Sequence, residues 1–210
     1  MKCPYGISED VIYDFCTPPS AGIERDILLI NWDDIDRNAT LFNETKTRIR
    51  KFRLKEGKRA YLFRGFKKLF KPSSKPIIDD LGNGFQHSIN IRIFKSTEEN
   101  LHQIYKAVSK GLFVAIVETK DKGDLGRLAY EVLGYDCGMQ ITSSEGKNYN
   151  DHNGAYLLSF LTPKNQKEPR PLYKWLEDDY SVTKHKFDKR LRTDPNDFQI
   201  FDRTFDKTFE

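Results

Sequence analysis

Phe85-Gln86-His87-Ser88-Ile89-Asn90-Ile91-Arg92-Ile93 alternates without a break: Phe85, His87, Ile89, Ile91 and Ile93 fall on one face and Gln86, Ser88, Asn90 and Arg92 on the other. A period of two marks a strand with one buried side. His87 on the apolar face reads as a buried, hydrogen-bonded histidine at the strand's entry. Directly afterwards the period changes. Ser96-Thr97-Glu98-Glu99 offers a capping box, and Leu101, Ile104, Tyr105 and Val108 recur at helical spacing until Gly111, which predicts one helix over about 97–110.

Working outward, Ile27-Leu28-Leu29-Ile30, Leu112 to Val117, Leu128 to Leu133 and Ala155 to Leu161 are short apolar runs of the kind that form buried strands. Thr47 to Leu54 and Arg59 to Phe66 alternate basic with apolar residues around Lys55-Glu56-Gly57-Lys58, which reads as a hairpin with a Gly-containing turn. Residues 71–84, with Pro72, Pro76, Gly82 and Gly84, read as a long loop, as do Lys120 to Gly126 and Ser143 to Gly154. The sum is an α+β, mostly β domain: a barrel or sandwich of about six or seven strands with one flanking helix. Residues 1–22 form a lead-in, 23–162 the β-rich core, and 163–210 a C-terminal extension.

That extension has its own texture. From Pro163 onward 48 residues hold no glycine, eight aromatics and four of the nine prolines. Trp175, Phe198, Phe201, Phe205 and Phe209 read as partner-docking anchors on a polar arm, the last three recurring every fourth residue almost to the terminus. The competing reading is a tail folded back on its own core.

Charge is segregated as well. Between Lys46 and Lys75 thirteen Lys or Arg residues stand against Glu56 alone, so this window carries +12 and the rest of the +4 chain carries −8. Arg48, Arg50, Lys51, Arg53, Lys55, Lys58 and Arg59 make it a basic ribbon that faces a neighbouring subunit or DNA, the plain alternative being a solvated face. In a nucleic-acid reading Tyr61, Phe63 or Phe66 would stack on bases.

The motif-borne enzyme classes lack their signatures: no GxxxxGK[ST], GxGxxG after a strand, GxSxG or HExxH is present. The expectation is therefore no enzyme, no catalytic residues and no cofactor, with a loop-built site near Asp151 and His152 as a remote alternative. Asp33-Asp34-Ile35-Asp36 lacks the glycine and closing glutamate of a calcium loop and reads as turn chemistry, so no metal is expected. Cys3, Cys16 and Cys137 show no zinc spacing, and reduced thiols in a cytosolic setting are expected. No run approaches 18 apolar residues, so no membrane contact is expected.

Several fragments carry a resemblance: Cys3 with Gly6-Ile7 and Ile12-Tyr13-Asp14, Ala21-Gly22-Ile23-Glu24 leading into Leu28-Leu29-Ile30-Asn31 and Asp33-Asp34-Ile35, then Gly57-Lys58-Arg59-Ala60-Tyr61. Gly84-Phe85-Gln86-His87-Ser88-Ile89, Val114-Ala115-Ile116-Val117-Glu118 and Gly134-Tyr135-Asp136-Cys137-Gly138-Met139 complete the set. Together they resemble a family of virion tail proteins of phages and prophages of Bacteroides-type bacteria, including crAss-like phages. The resemblance implies a tail ring or tail-tube-like structural protein, made in the host cytoplasm and located in the virion. Its partners would be copies of itself in a ring and other tail or portal proteins, with non-specific DNA contact in a channel. It supplies no catalytic residues.

Overall fold

The computed structural model describes residues 10, 21–64, 70–79, 82–94, 97–109, 111–147 and 154–192, the side chains of 143–145 excepted. These residues build a mostly β structure of two sheets and two helices. The larger sheet holds seven strands: β1 (Ile23–Asn31), β2 (Leu41–Phe42), β3 (Arg48–Lys51), β4 (Tyr61–Arg64), β7 (Phe113–Thr119), β8 (Tyr130–Leu133) and β11 (Tyr173–Trp175). The smaller holds four: β5 (Lys71–Asp79), β6 (Gly82–Ile93), β9 (Gln140–Lys147) and β10 (Tyr156–Leu161). The strand orders are β2-β3-β11-β8-β7-β1-β4 and β5-β6-β10-β9.

Strands β1 and β7 are the spine. They pair antiparallel with Leu28 opposite Ile116 and Leu29 opposite Ala115, and Ile27 to Ile30 and Phe113 to Val117 are all buried. An unbroken apolar run is what a strand needs when both of its faces are covered. Successive side chains serve different cores: Leu28, Ile30, Val114 and Ile116 join Ile49, Phe52, Trp175 and Phe187. Ile27, Leu29, Ala115 and Val117 instead meet Ile89, Ile91, Leu158 and Phe160 of the smaller sheet. One face of the larger sheet therefore lines one core, and the other face shares the second with the smaller sheet.

The alternation of β6 is realised as expected, with His87, Ile89 and Ile91 buried against that second core. The helix is also realised, as α1 (Glu98–Val108), with the Thr97 hydroxyl accepting from the backbone N–H of Asn100. Only Ile104 of its apolar residues is buried. A second helix, α2 (Tyr180–Asp188), is capped by Asp179, whose carboxylate accepts from the N–H of Val182 at 2.8 Å.

Four expectations are corrected. The basic ribbon is not a hairpin: β3 pairs with β2 and, in parallel, with β11, whereas β4 pairs with β1. The tight turn at Gly57 exists, with the N–H of Lys58 donating to the carbonyl of Lys55, but Phe52, Leu54 and Ala60 around it are buried, so burial carries the two strands apart. Residues 71–79 are strand β5 rather than loop, paired with β6 from Lys71 opposite Asn90 to Asp79 opposite Gly82. Pro72 and Pro76 are tolerated because β5 lies at the sheet's edge, where half the backbone groups need no partner. Residues 143–147, read as the start of a loop, extend β9.

The fourth correction matters most. Residues 163–192 are not an arm. Strand β11 lies inside the larger sheet between β3 and β8, and Trp175, expected to anchor a partner, is 0% exposed. Its ring packs on Phe52 and Tyr130 at centroid distances of 6.1 and 5.4 Å. The next turn is fixed by a buried carboxylate. Glu177 accepts from the N–H of Phe52 at 2.8 Å and from the Trp175 indole at 3.2 Å, and pairs with Arg53 at 3.1 Å and with Lys186. The anchors Phe198, Phe201, Phe205 and Phe209 lie outside the described residues, as does most of the 1–22 lead-in.

Removing one partner of a buried ion pair leaves the others uncompensated. Glu177→Ala is expected to lower unfolding free energy by about 3–5 kcal/mol in urea titration, and Trp175→Ala by a similar ~3–5 kcal/mol through cavity formation. Arg25→Ala, which breaks an exposed bridge to Asp26, is expected to cost under ~1 kcal/mol. Equal losses for all three would contradict this ranking.

Candidate docking surface

The cationic window divides into residues used internally and residues facing outward. Arg53 is bound to Glu177, Lys58 reaches Asp34 at 3.1 Å, and Arg64 makes a two-pronged contact with Asp26 at 2.8 and 2.9 Å. Arg48 is half-buried on β3, while Arg50, Lys51, Lys55 and Arg59 are exposed. Of the expected ribbon, then, Arg53 is corrected to a core partner, because its guanidinium neutralises a buried carboxylate. Arg50, Lys51 and Lys55 remain on the outside; Lys67 and Lys68 lie outside the described residues.

Arg59 and Arg64 belong to a different feature that sequence spacing does not reveal. A groove of about 870 Å³ opens between β4, the ends of β6 and β10, and helix α1. Leu29, Phe70, Ile91, Phe113 and Phe160 contribute to its apolar lining, and Tyr61, Phe63, Ile93 and Phe94 lie along it. Arg59, Arg64, Arg92, Lys106 and Arg190 supply five cations, and no acidic residue lines it among the described residues. The Arg59 guanidinium lies 5.5 Å from the Tyr61 ring centroid. Beside the groove, α1 presents Leu101, Tyr105 and Val108 at 42%, 70% and 57% exposure. Sequence reading missed Arg92, Lys106 and Arg190 as members, since they come from a strand, a helix and the segment after a second helix. The one signal available was Arg92 on the polar face of the cleanest strand.

A second concentration of polar groups is structural. His87 is fully buried; its Nδ1 accepts from the N–H of Gly134 at 2.9 Å, so Nε2 carries the proton and donates to the carbonyl of Arg170 at 3.0 Å. Gly134 is required there, because with φ of 75° an added Cβ would lie 2.9 Å from the Phe113 carbonyl oxygen. Fully buried Glu168 accepts from the N–H groups of Asp136 and Cys137 at 3.1 and 3.0 Å, and the Tyr173 hydroxyl donates to Asp136 at 2.7 Å. These bonds fasten residues 163–173 to the 134–138 turn. Burial, reinforced by Glu168 and Asp136, pushes the Cys137 thiol up to about 11, so little thiolate forms at neutral pH.

The remaining sequence candidates separate. Asp34 accepts from Asn31 and binds Lys58, and Asp36 closes a turn by accepting from the N–H groups of Asn38 and Ala39. Among the described residues no group of three or more His, Cys, Asp or Glu side chains is placed to hold a metal ion. Asp151, His152 and Phe66 lie outside the described residues. Among the described residues no helix is long and apolar enough to cross a membrane. No family model, no curated protein and no solved structure matches the chain.

Burial lowers the His87 pKa below its ordinary 6.5, so acidification charges this residue in the unfolded chain first and stability falls below that value. Burial pushes the Glu168 carboxyl up to about 7 from 4.5, so the folded chain takes that proton first and stability rises as pH falls from about 7 towards 4.5. Each proton contributes a slope of at most about 1.4 kcal/mol per pH unit. Denaturant midpoints between pH 7 and 5 are expected to show opposing slopes once separated: Glu168→Gln exposes the acid loss and His87→Asn the acid gain. Two variants with the wild-type slope would contradict the assignment.

Proposed function

We propose that this chain is a structural virion protein, a tail ring or tail-tube-like component that assembles with identical copies into a closed ring around a DNA channel. The observation that carries the reading is the open apolar face of α1. Three of its four periodic apolar residues stand out of the core beside a groove with an apolar floor. Covering each large apolar side chain is worth roughly 1.5–3 kcal/mol, so a partner that seats on this face gains substantially. Two further features support it: the mostly β, two-sheet architecture, and the resemblance of the quoted fragments to virion tail proteins. A ring needs two different complementary surfaces on each copy, which suits a chain whose positive and negative charge are kept apart.

A second reading, nucleic-acid binding, is favoured by one observation. Tyr61 and Phe63 lie with Arg59, Arg64 and Arg92 in a groove whose described lining holds no acid, an arrangement suited to bases stacked beside neutralised phosphates.

Native mass spectrometry and negative-stain imaging of the wild-type protein, alone and with the products of adjacent genes, are expected to show ring multiples. Tyr105→Asp combined with Val108→Asp is expected to yield monomer with unchanged circular dichroism, since both side chains are exposed. Wild-type protein that stays monomeric in every mixture overturns the assembly reading. For the second reading, single-stranded DNA affinity is expected to fall steeply between 50 and 200 mM salt, on the order of tenfold or more, and further in Arg92→Glu. Absence of binding at 50 mM salt removes it.

A further inference from the structure

We propose that the groove between β4, β6 and α1 is the receiving site for the C-terminal phenyl ladder, Phe198, Phe201, Phe205 and Phe209, of a neighbouring copy. This rests on the assembly reading and names the two surfaces that would meet.

Charge complementarity is the first argument. Residues 193–210 carry Asp194, Asp197, Asp202, Asp206 and Glu210 against Arg203 and Lys207, a net −3. The groove is lined by five cations, of which Arg64 is already paired with Asp26, and, among the described residues, by no acid. An acidic segment is attracted there and a basic one is turned away. The second argument is chemical fit. The spacing of Phe198, Phe201 and Phe205 would put them on one face of a helix, with Asp202 between the last two, which is the pattern of a helix laid into an apolar groove with a charged rim. At about 870 Å³ the groove is near the top of the range that holds drug-sized ligands, large enough for several rings.

The third argument concerns where the described chain ends. Arg190 itself lines the groove, and its carbonyl is bonded to the N–H of Ala60 at 2.9 Å, next to β4. The chain is described as far as Arg192, which is exposed, and 18 residues follow it. With 193–197 extended and 198–210 helical, as the phenyl spacing asks, they span roughly 35 Å, about twice the radius of gyration of a folded domain of this length. A segment of that length suffices to bridge two adjoining copies. One tail and one groove per copy make a head-to-tail contact, which repeats until a ring closes.

The test uses the full chain. Light and uniformly heavy protein are unfolded together, refolded together and treated with a zero-length carbodiimide, and cross-linked peptides are read by mass spectrometry. Amide bonds from Lys106 to Asp202, Asp206 or Glu210 are expected, with about half joining a light to a heavy peptide, as random mixing of copies requires. Arg92→Glu is expected to reduce them several-fold, whereas Lys51→Glu, outside the groove, leaves them unchanged. Cross-links found only within one label place the tail on its own subunit and overturn the proposal. No cross-link at Lys106 in protein whose native mass is a ring multiple overturns the groove assignment while leaving assembly intact. Mixed-label cross-links in particles that never exceed a dimer support the docking contact and overturn the ring.

Discussion

A single buried carboxylate holds the two ends of the fold together. Glu177, only 2% exposed, draws in the Phe52 N–H, the Trp175 indole, Arg53 and Lys186 at once. A lone carboxylate at that depth would be prohibitive; with two cations and two N–H donors it becomes a clamp that tolerates only one arrangement of its donors. It fixes the path of the chain leaving β3 and of the chain leaving β11, and so inserts a late strand between two early ones. Around it the Trp175, Phe52, Tyr130 and Phe187 rings fill the core on one face of the larger sheet.

That clamp also decides what the cationic window is for. Arg53 is consumed internally, Lys58 and Arg64 are tied to local acids, and the rest divide between an exposed strip and the groove. A +12 count in sequence is therefore not one surface. The outward chemistry that remains is an apolar floor with a cationic rim beside an exposed helix face, a combination that favours an acidic, aromatic partner. The chain's own terminal segment has that composition, which is why assembly with like copies is the preferred reading.

Local patterns were legible where one physical rule acts alone. The alternation through Ile93 and the apolar runs in β1, β7 and β10 were readable because period and burial coincide there. The cap at Thr97 was readable because a hydroxyl before two glutamates has a local partner. Strand β5 was misread because Pro72 and Pro76 argue against a strand unless it lies at an edge, and edge position is a property of the sheet. The apparent hairpin at Gly57 was misread because the turn is real but both flanks are drawn into the core. Residues 163–192 resembled an arm because their apolar residues are sparse; Tyr173, Trp175, Leu176, Phe187 and Leu191 are nevertheless buried, with polar neighbours satisfied by specific partners such as Glu168 and Glu177.

Sequence alone determined the mostly β character, the first helix, the histidine buried on a strand and the segregation of charge, since each depends on residues close together along the chain. Tertiary structure alone decided the strand order, the capture of Trp175 by the core and the gathering of Arg59, Arg64, Arg92, Lys106 and Arg190 around one groove. Those depend on which distant segments share a core, and the free energy that selects them comes from burial and from pairing of buried polar groups, neither of which is encoded at any one position.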